Sequence, residues 1–217
     1  MEFYRKNWYY IGGILFVVLA FFIGIYGEAI DPLRKILILS FMALLVHQFE
    51  EYALPGGFPA IFNIALSGEQ DTPNRYPLNA QNSLFVNTFF AYTFYILPIL
   101  FIDWYWLGIM TMIFGFTQFI VHGIVVNRRL KSFYNPGLGA VIFLHIPIGI
   151  YYLWYLHANV SVDAWHWWVG ILCLPIAAVV VVQVPLLIFK DKNSPYPWSQ
   201  AEMDRFSVKE KLAKINK

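Results

Sequence analysis

Charge is what this sequence has least of. Asp, Glu, Lys and Arg make up only 13% of its 217 residues, about half their share in an ordinary soluble chain. With charge so sparse, no nucleic-acid partner is expected. Cysteine is almost missing as well: Cys173 stands alone, so an intrachain disulfide and a thiolate metal cluster are both excluded. No internal repeat is visible, which removes the inverted halves on which many transporters are built. No small-residue cleavage site follows the first apolar run, so that run is read as a retained helix rather than a signal peptide.

What the chain does have is apolar surface. Hydrophobic residues make up 59% and the mean hydropathy is +0.56, more than one water-facing domain of this size can bury. Six runs reach the roughly 17–25 residues that cross a bilayer, near 9–27, 34–53, 84–102, 104–126, 138–156 and 165–189. Trp8, Tyr9, Trp104, Trp106, Trp165 and Trp167 stand at span ends, where amphipathic rings favour the headgroup level. The expected fold is an all-α integral membrane protein, a six-helix bundle over 1–190 followed by a tail over 191–217. A tight turn at Asp103 is needed to separate the third and fourth spans.

Basic residues set the orientation. Arg5, Lys6, Arg75, Arg128, Arg129, Lys131 and the Lys-rich tail fall on one side of an alternating path, and only Arg34 and Lys35 on the other. By the positive-inside rule both termini are cytoplasmic. The apolar piece from Phe58 to Leu66 is too short to span and is expected in the interface. In the tail, Ser199 and Glu202 have capping-box spacing, and Met203, Phe206, Leu212 and Ile215 recur at nearly helical intervals, which predicts a short amphipathic helix on the membrane surface.

Polar residues inside the spans carry the functional signal. In the second span His47, Glu50 and Glu51 stand at i, i+3 and i+4 and share one polar patch. An unpaired acid inside a span costs about 2.5–3.5 kcal/mol on the insertion scale, so something must compensate the pair. His122, with Gln118 one turn away, and His145 fall at similar depth on the fourth and fifth spans. Asn87 on the third is placed to join them as a hydrogen-bonding neighbour. His157 and His166 fall at the opposite boundary and are read as ordinary interfacial residues.

Between the fourth and fifth spans lie Arg128, Arg129, Lys131 and then Tyr134, Asn135, Pro136 and Gly137. Asn135 followed by Pro136 reads as an N-cap and first helical position. Such a helix start offers backbone N–H groups to an anion, and with the basic residues beside it the mouth suits an anionic lipid headgroup.

The run His47-Gln48-Phe49-Glu50-Glu51, a further histidine and Tyr134-Asn135-Pro136-Gly137 together resemble the HXXEE-domain family of mostly bacterial membrane proteins. The resemblance implies a bacterial cytoplasmic (inner) membrane and marks which residues matter, but carries no activity with it. Whether the family's extra histidine is His122 or His145 stays open. The layout is also similar to that of glutamate-type intramembrane proteases. Those enzymes, however, carry an Arg four residues after their Glu pair, where this chain has Pro55.

Imidazoles with a carboxylate make an open catalytic metal site. The reading is therefore a metal-dependent hydrolase acting on a lipid or lipid-linked substrate. His47, His122, His145 and Glu50 are the expected ligands and zinc the expected metal, with iron or manganese as alternatives. Glu51, or Glu50 if the two exchange roles, is the expected base. Arg128, Arg129, Tyr134, Asn135, Gly137, Asn87 and Gln118 would line the substrate's path. The competing readings are a proton- or metal-coupled transporter and a structural subunit whose polar cluster fixes helix packing.

Overall fold

The computed structural model describes residues 1–215, and every regular element among them is helical. Six helices are long and apolar enough to cross a membrane: α1 (Glu2–Ala29), α2 (Pro32–Tyr52), α4 (Ala80–Leu100), α5 (Tyr105–Leu130), α6 (Leu138–Asn159) and α7 (Ala164–Phe189). A short helix over 58–66, α3, follows α2, and the tail forms α8 (Gln200–Asp204) and α9 (Val208–Ile215). The count and order are those the apolar runs predict. The first span begins seven residues earlier than expected, because Glu2 to Asn7 continue the helix beyond the apolar run.

Local chemistry fixes several starts. Asp31 accepts from the Arg34 backbone N–H at 3.0 Å and Pro32 opens α2, a cap and a preorganised first turn. Asn79 and Asn82 form a reciprocal cap at α4. The expected turn at Asp103 is present, with Phe101 stacked on Trp104 at 4.9 Å.

The two faces of the bundle differ. One is closed by the short turns after α1, α4 and α6. The other, called here the site face, gathers the N-terminus, α3, the 67–79 connection, the α5–α6 loop and the tail. Trp8, Tyr52, Ile61, Trp198, Met203 and Val208 share one buried cluster there. Two expectations change as a result. The 58–66 piece is not a loose surface segment but packs into the protein: Ile61 and Asn63 are wholly buried, and Asn63 donates to the Pro73 and Leu78 carbonyls. The tail does not form one continuous helix either. Its capping box at Ser199 and Glu202 is present, but the backbone breaks at Phe206 (φ 62°). Met203 and Val208 are buried against the protein, and Arg205 donates to the Tyr52 carbonyl at the end of α2.

Five stretches open from α to π geometry: 61–66, 85–90, 120–126, 141–145 and 179–183. A π turn inserts an extra residue into the helix and re-aims the side chains beyond it, and such turns are frequent at functional sites. Here they carry Asn87, His122 and His145.

Candidate metal centre

The site is built on the last turns of α2. Helical spacing aims His47 and Glu51 the same way, and both are 5% exposed. His122, on the widened turn of α5, meets them from across the bundle and is 1% exposed. The Nε2 atoms of His47 and His122 lie 3.5 and 3.4 Å from one oxygen of Glu51. The three ligand atoms all fall within 4.8 Å of one another, a group that can hold a metal ion.

The far side of each ring is tied down by the α5–α6 loop. His47 Nδ1 is 3.1 Å from the Gly137 carbonyl, which can only accept, so this nitrogen carries the proton. His122 Nδ1 is 2.8 Å from Asn135 Oδ1. The Asn135 amide nitrogen is itself committed as donor to the His122 carbonyl and to Asn127 Oδ1, both at 2.7 Å. That fixes the amide's orientation, and His122 Nδ1 must donate as well. In the neutral state both Nε2 atoms are therefore bare lone pairs. Ligating histidines are commonly held this way, by a hydrogen bond from the other ring nitrogen.

With both rings neutral, three acceptors thus converge in a buried space with no side-chain donor between them. Distances of 3.4 and 3.5 Å exceed the about 2.7–2.9 Å of a charge-assisted hydrogen bond. They match instead the edge of a tetrahedron, about 3.3–3.4 Å when metal–ligand bonds are about 2.0–2.1 Å. Arrangement and donor set both fit a small divalent cation.

The close approach of the loop depends on Gly137. Its φ is +102°, and a Cβ there would fall 2.6 Å from His122 Cε1 and 3.0 Å from His47 Cε1. Left-handed geometry and ring contact both call for glycine.

Glu50 is turned elsewhere. One of its oxygens accepts from the Tyr134 hydroxyl at 2.7 Å and the Gly139 N–H at 3.0 Å, the other from the Ala140 N–H at 2.8 Å. It caps the start of α6. Two sequence expectations are changed by this one carboxylate. The acid beside the histidines is Glu51, not Glu50, because adjacent residues diverge by about 100° around a helix. The N–H groups at the start of α6, expected to receive a headgroup, are already occupied. Asn135 does not cap α6 either, because its side chain is spent on His122 and α6 begins at Leu138.

His145 is brought to the group but not into it. Its ring centroid is 5.5 Å from that of His47, and its Nε2 is buried without a hydrogen-bond partner. Beside these residues lies a cavity of about 130 Å³, lined by His47, Glu51, Asn87, Tyr95, Gln118 and His145 and walled by Leu44, Phe114 and Val181. Asn87 and Gln118 are therefore where their spacing placed them. Gln48 was missed as a participant: it is 1% exposed and donates to the Asn87 carbonyl at 2.9 Å. Its place inside the HXXEE run, on the face toward α4, was the available signal. Arg128 and Arg129, in the last turn of α5, and Lys131, just after it, are exposed and touch none of these groups. His166 lies at the opposite face, its Nδ1 accepting from the Trp106 N–H at 3.4 Å.

Comparison with curated proteins and with solved structures finds no match. A family model described as a protein of unknown function with HXXEE motif matches residues 38–152. That segment is more than half of the chain and holds both the acid-and-histidine turn of α2 and the loop that orients it, and the chain belongs to this family.

Proposed function

We propose that this protein is a membrane-embedded, metal-dependent hydrolase acting on a lipid or lipid-linked substrate, with zinc as its metal and both termini in the cytoplasm. The observation that carries the reading is the pair of histidines locked by Gly137 and Asn135 so that two bare Nε2 atoms face the Glu51 carboxylate. A helix-packing cluster would place a donor against each acceptor. With neutral rings the acceptors here face one another, which a bound cation would relieve.

His47, His122 and Glu51 would hold the divalent ion, which when bound would supply Lewis acidity toward an ester or phosphoryl oxygen and a more acidic water. The chain's own residues do the rest. His47, His122 and Glu51 leave one side of the group open toward the cavity, the arrangement of a catalytic rather than a structural site. His145 borders that cavity with an unengaged nitrogen and is the group placed to take a proton from attacking water and return it to the leaving oxygen. Glu50 holds the loop that holds the histidines. The apolar walls exclude bulk water and accept the substrate's hydrocarbon.

The test is elemental analysis of the purified protein beside an Asn135→Ala variant. The wild type should carry one metal per chain. Removing the Asn135 amide frees the His122 ring and should weaken metal affinity about 10–100-fold, the usual cost of losing such a support. A metal-free wild type that nonetheless turns over lipid esters would refute the metal mechanism.

A further inference from the structure

We propose that the substrate is a single-chain lipid with an anionic headgroup, and that it reaches the histidines through a neck formed by Phe62 of α3 and Leu186 of α7. The proposal rests on the hydrolase reading for what happens at the histidines, but the route itself follows from the shape of the site face.

A second cavity of about 320 Å³ opens at that face, between the 67–79 connection and the end of α7, lined by Ser67, Glu69, Tyr76 and Lys190 among others. It shares two wall residues, Phe62 and Leu186, with the cavity beside Glu51. The two spaces therefore border each other at this pair, with only its side chains between them. To one side, Phe85 stacks on Phe189 at 4.7 Å and nearly parallel, which closes the seam between α4 and α7 next to the neck.

The chemistry of the two spaces differs. The outer wall has two charged residues. Glu69 is committed: it accepts from the backbone N–H groups of Asp71 at 2.8 Å and Thr72 at 3.0 Å, and Lys192 pairs with its other oxygen at 3.5 Å. Lys190 is exposed and enters no ion pair among the described residues. The free charge of the outer wall is thus positive and suits a phosphate or carboxylate headgroup. Past the neck the walls are apolar except for the metal group and its neighbours. A cavity of about 150 Å³ takes one benzene ring, so about 130 Å³ admits the linkage and the first few carbons of one chain and has no room for those of a second. An amphiphile anchored at Lys190 would bring the linkage next to its headgroup toward Glu51.

The probe is fluorescently labelled lysophosphatidic acid, titrated into the full-length protein in uncharged maltoside micelles, with metal content measured on every sample. Wild type should bind saturably, Lys190→Ala about tenfold more weakly, and Phe62→Trp and Leu186→Phe, which narrow the neck from opposite walls, should block binding while metal content stays unchanged. Lys209→Ala, on the exposed side of α9, should bind as wild type. Unchanged affinity in both neck variants, or equal affinity for a two-chain phosphatidic acid probe, would overturn the proposal while leaving a metal-loaded hydrolase intact. If the wild type holds no metal but the neck variants still block the probe, the hydrolase reading fails and the route stands.

Discussion

At the face away from the site, Leu33 and Ile36 of α2, Ile109 and Met112 of α5, and Tyr152 and Leu156 of α6 interlock in a dry cluster, none more than 4% exposed. At the site face the same three helices bring together His47, Glu51, His122 and His145. The apolar half is regular α-helix, whereas the polar half widens where His122 and His145 sit. One half holds the helices in register so that the other can hold groups that would not choose to meet. The contrast also bears on the carrier alternative. A transport path needs polar residues through both halves, and the apolar cluster supplies none where α2, α5 and α6 meet.

The largest expected effect falls on Glu51→Gln. The amide would present a weaker, neutral oxygen to the proposed cation, so metal and activity should be lost together, metal affinity by more than about 100-fold. A Glu51→Gln protein that keeps its metal would dissolve the distinction between the two halves, leaving both as packing.

Next comes Leu156→Ala, in the opposite half. Removing a wholly buried leucine should cost about 2–5 kcal/mol, seen as a lower melting temperature, while metal content per folded chain stays at the wild-type value. Loss of metal at constant folding would show that the apolar half tunes the site rather than merely supporting it.

Much of this plan was legible in the sequence. Six spans follow from hydropathy because the lipid demands it of every crossing helix, and the common depth of His47, His122 and His145 follows from counting turns. What could not be read was rotation. A helical wheel assumes about 100° per residue, and each π turn breaks that count, so the wheel could not rank His122 above His145. It also favoured Glu50 over Glu51 as the ligand, the reverse of what the fold shows. The choice between them was made by the start of α6, whose unpaired N–H groups draw one carboxylate away. Asn135 was misread for a related reason: an Asn before a Pro resembles a cap, and only the fold shows a histidine competing for its side chain.

That division of labour predicts a smaller effect for Glu50→Gln. The variant loses charge on a group that accepts three hydrogen bonds, and a bond to a charged group contributes about 1.5–3 kcal/mol. Stability should fall by about 2 kcal/mol, or about 4–8 °C for a chain of this length, with metal still bound. Metal loss in Glu50→Gln at full stability would return Glu50 to the coordination sphere.

Tyr134→Phe should give the smallest change and separates the two acids most cleanly. Burial, and then the Glu50 carboxylate beside it, raise the Tyr134 phenol above its ordinary range, so it remains a donor to Glu50 at neutral pH. Removing the hydroxyl leaves Glu50 with its two backbone donors, at a cost of about 0.5–1.5 kcal/mol. The sign of the pH dependence follows from the raised phenol. A group that binds its proton more tightly when folded contributes a constant amount of stability below its unfolded value, about 10 for tyrosine, and loses it as pH rises beyond that. Wild type and Tyr134→Phe should therefore differ by a fixed amount from about pH 6 to 9 and converge in more alkaline buffer, with metal content equal in the two proteins across the neutral range. Melting temperatures of both proteins measured against pH decide it. A difference that instead widens above pH 10 would mean that the phenol is not held by Glu50, and the capping role assigned to that acid would fall with it.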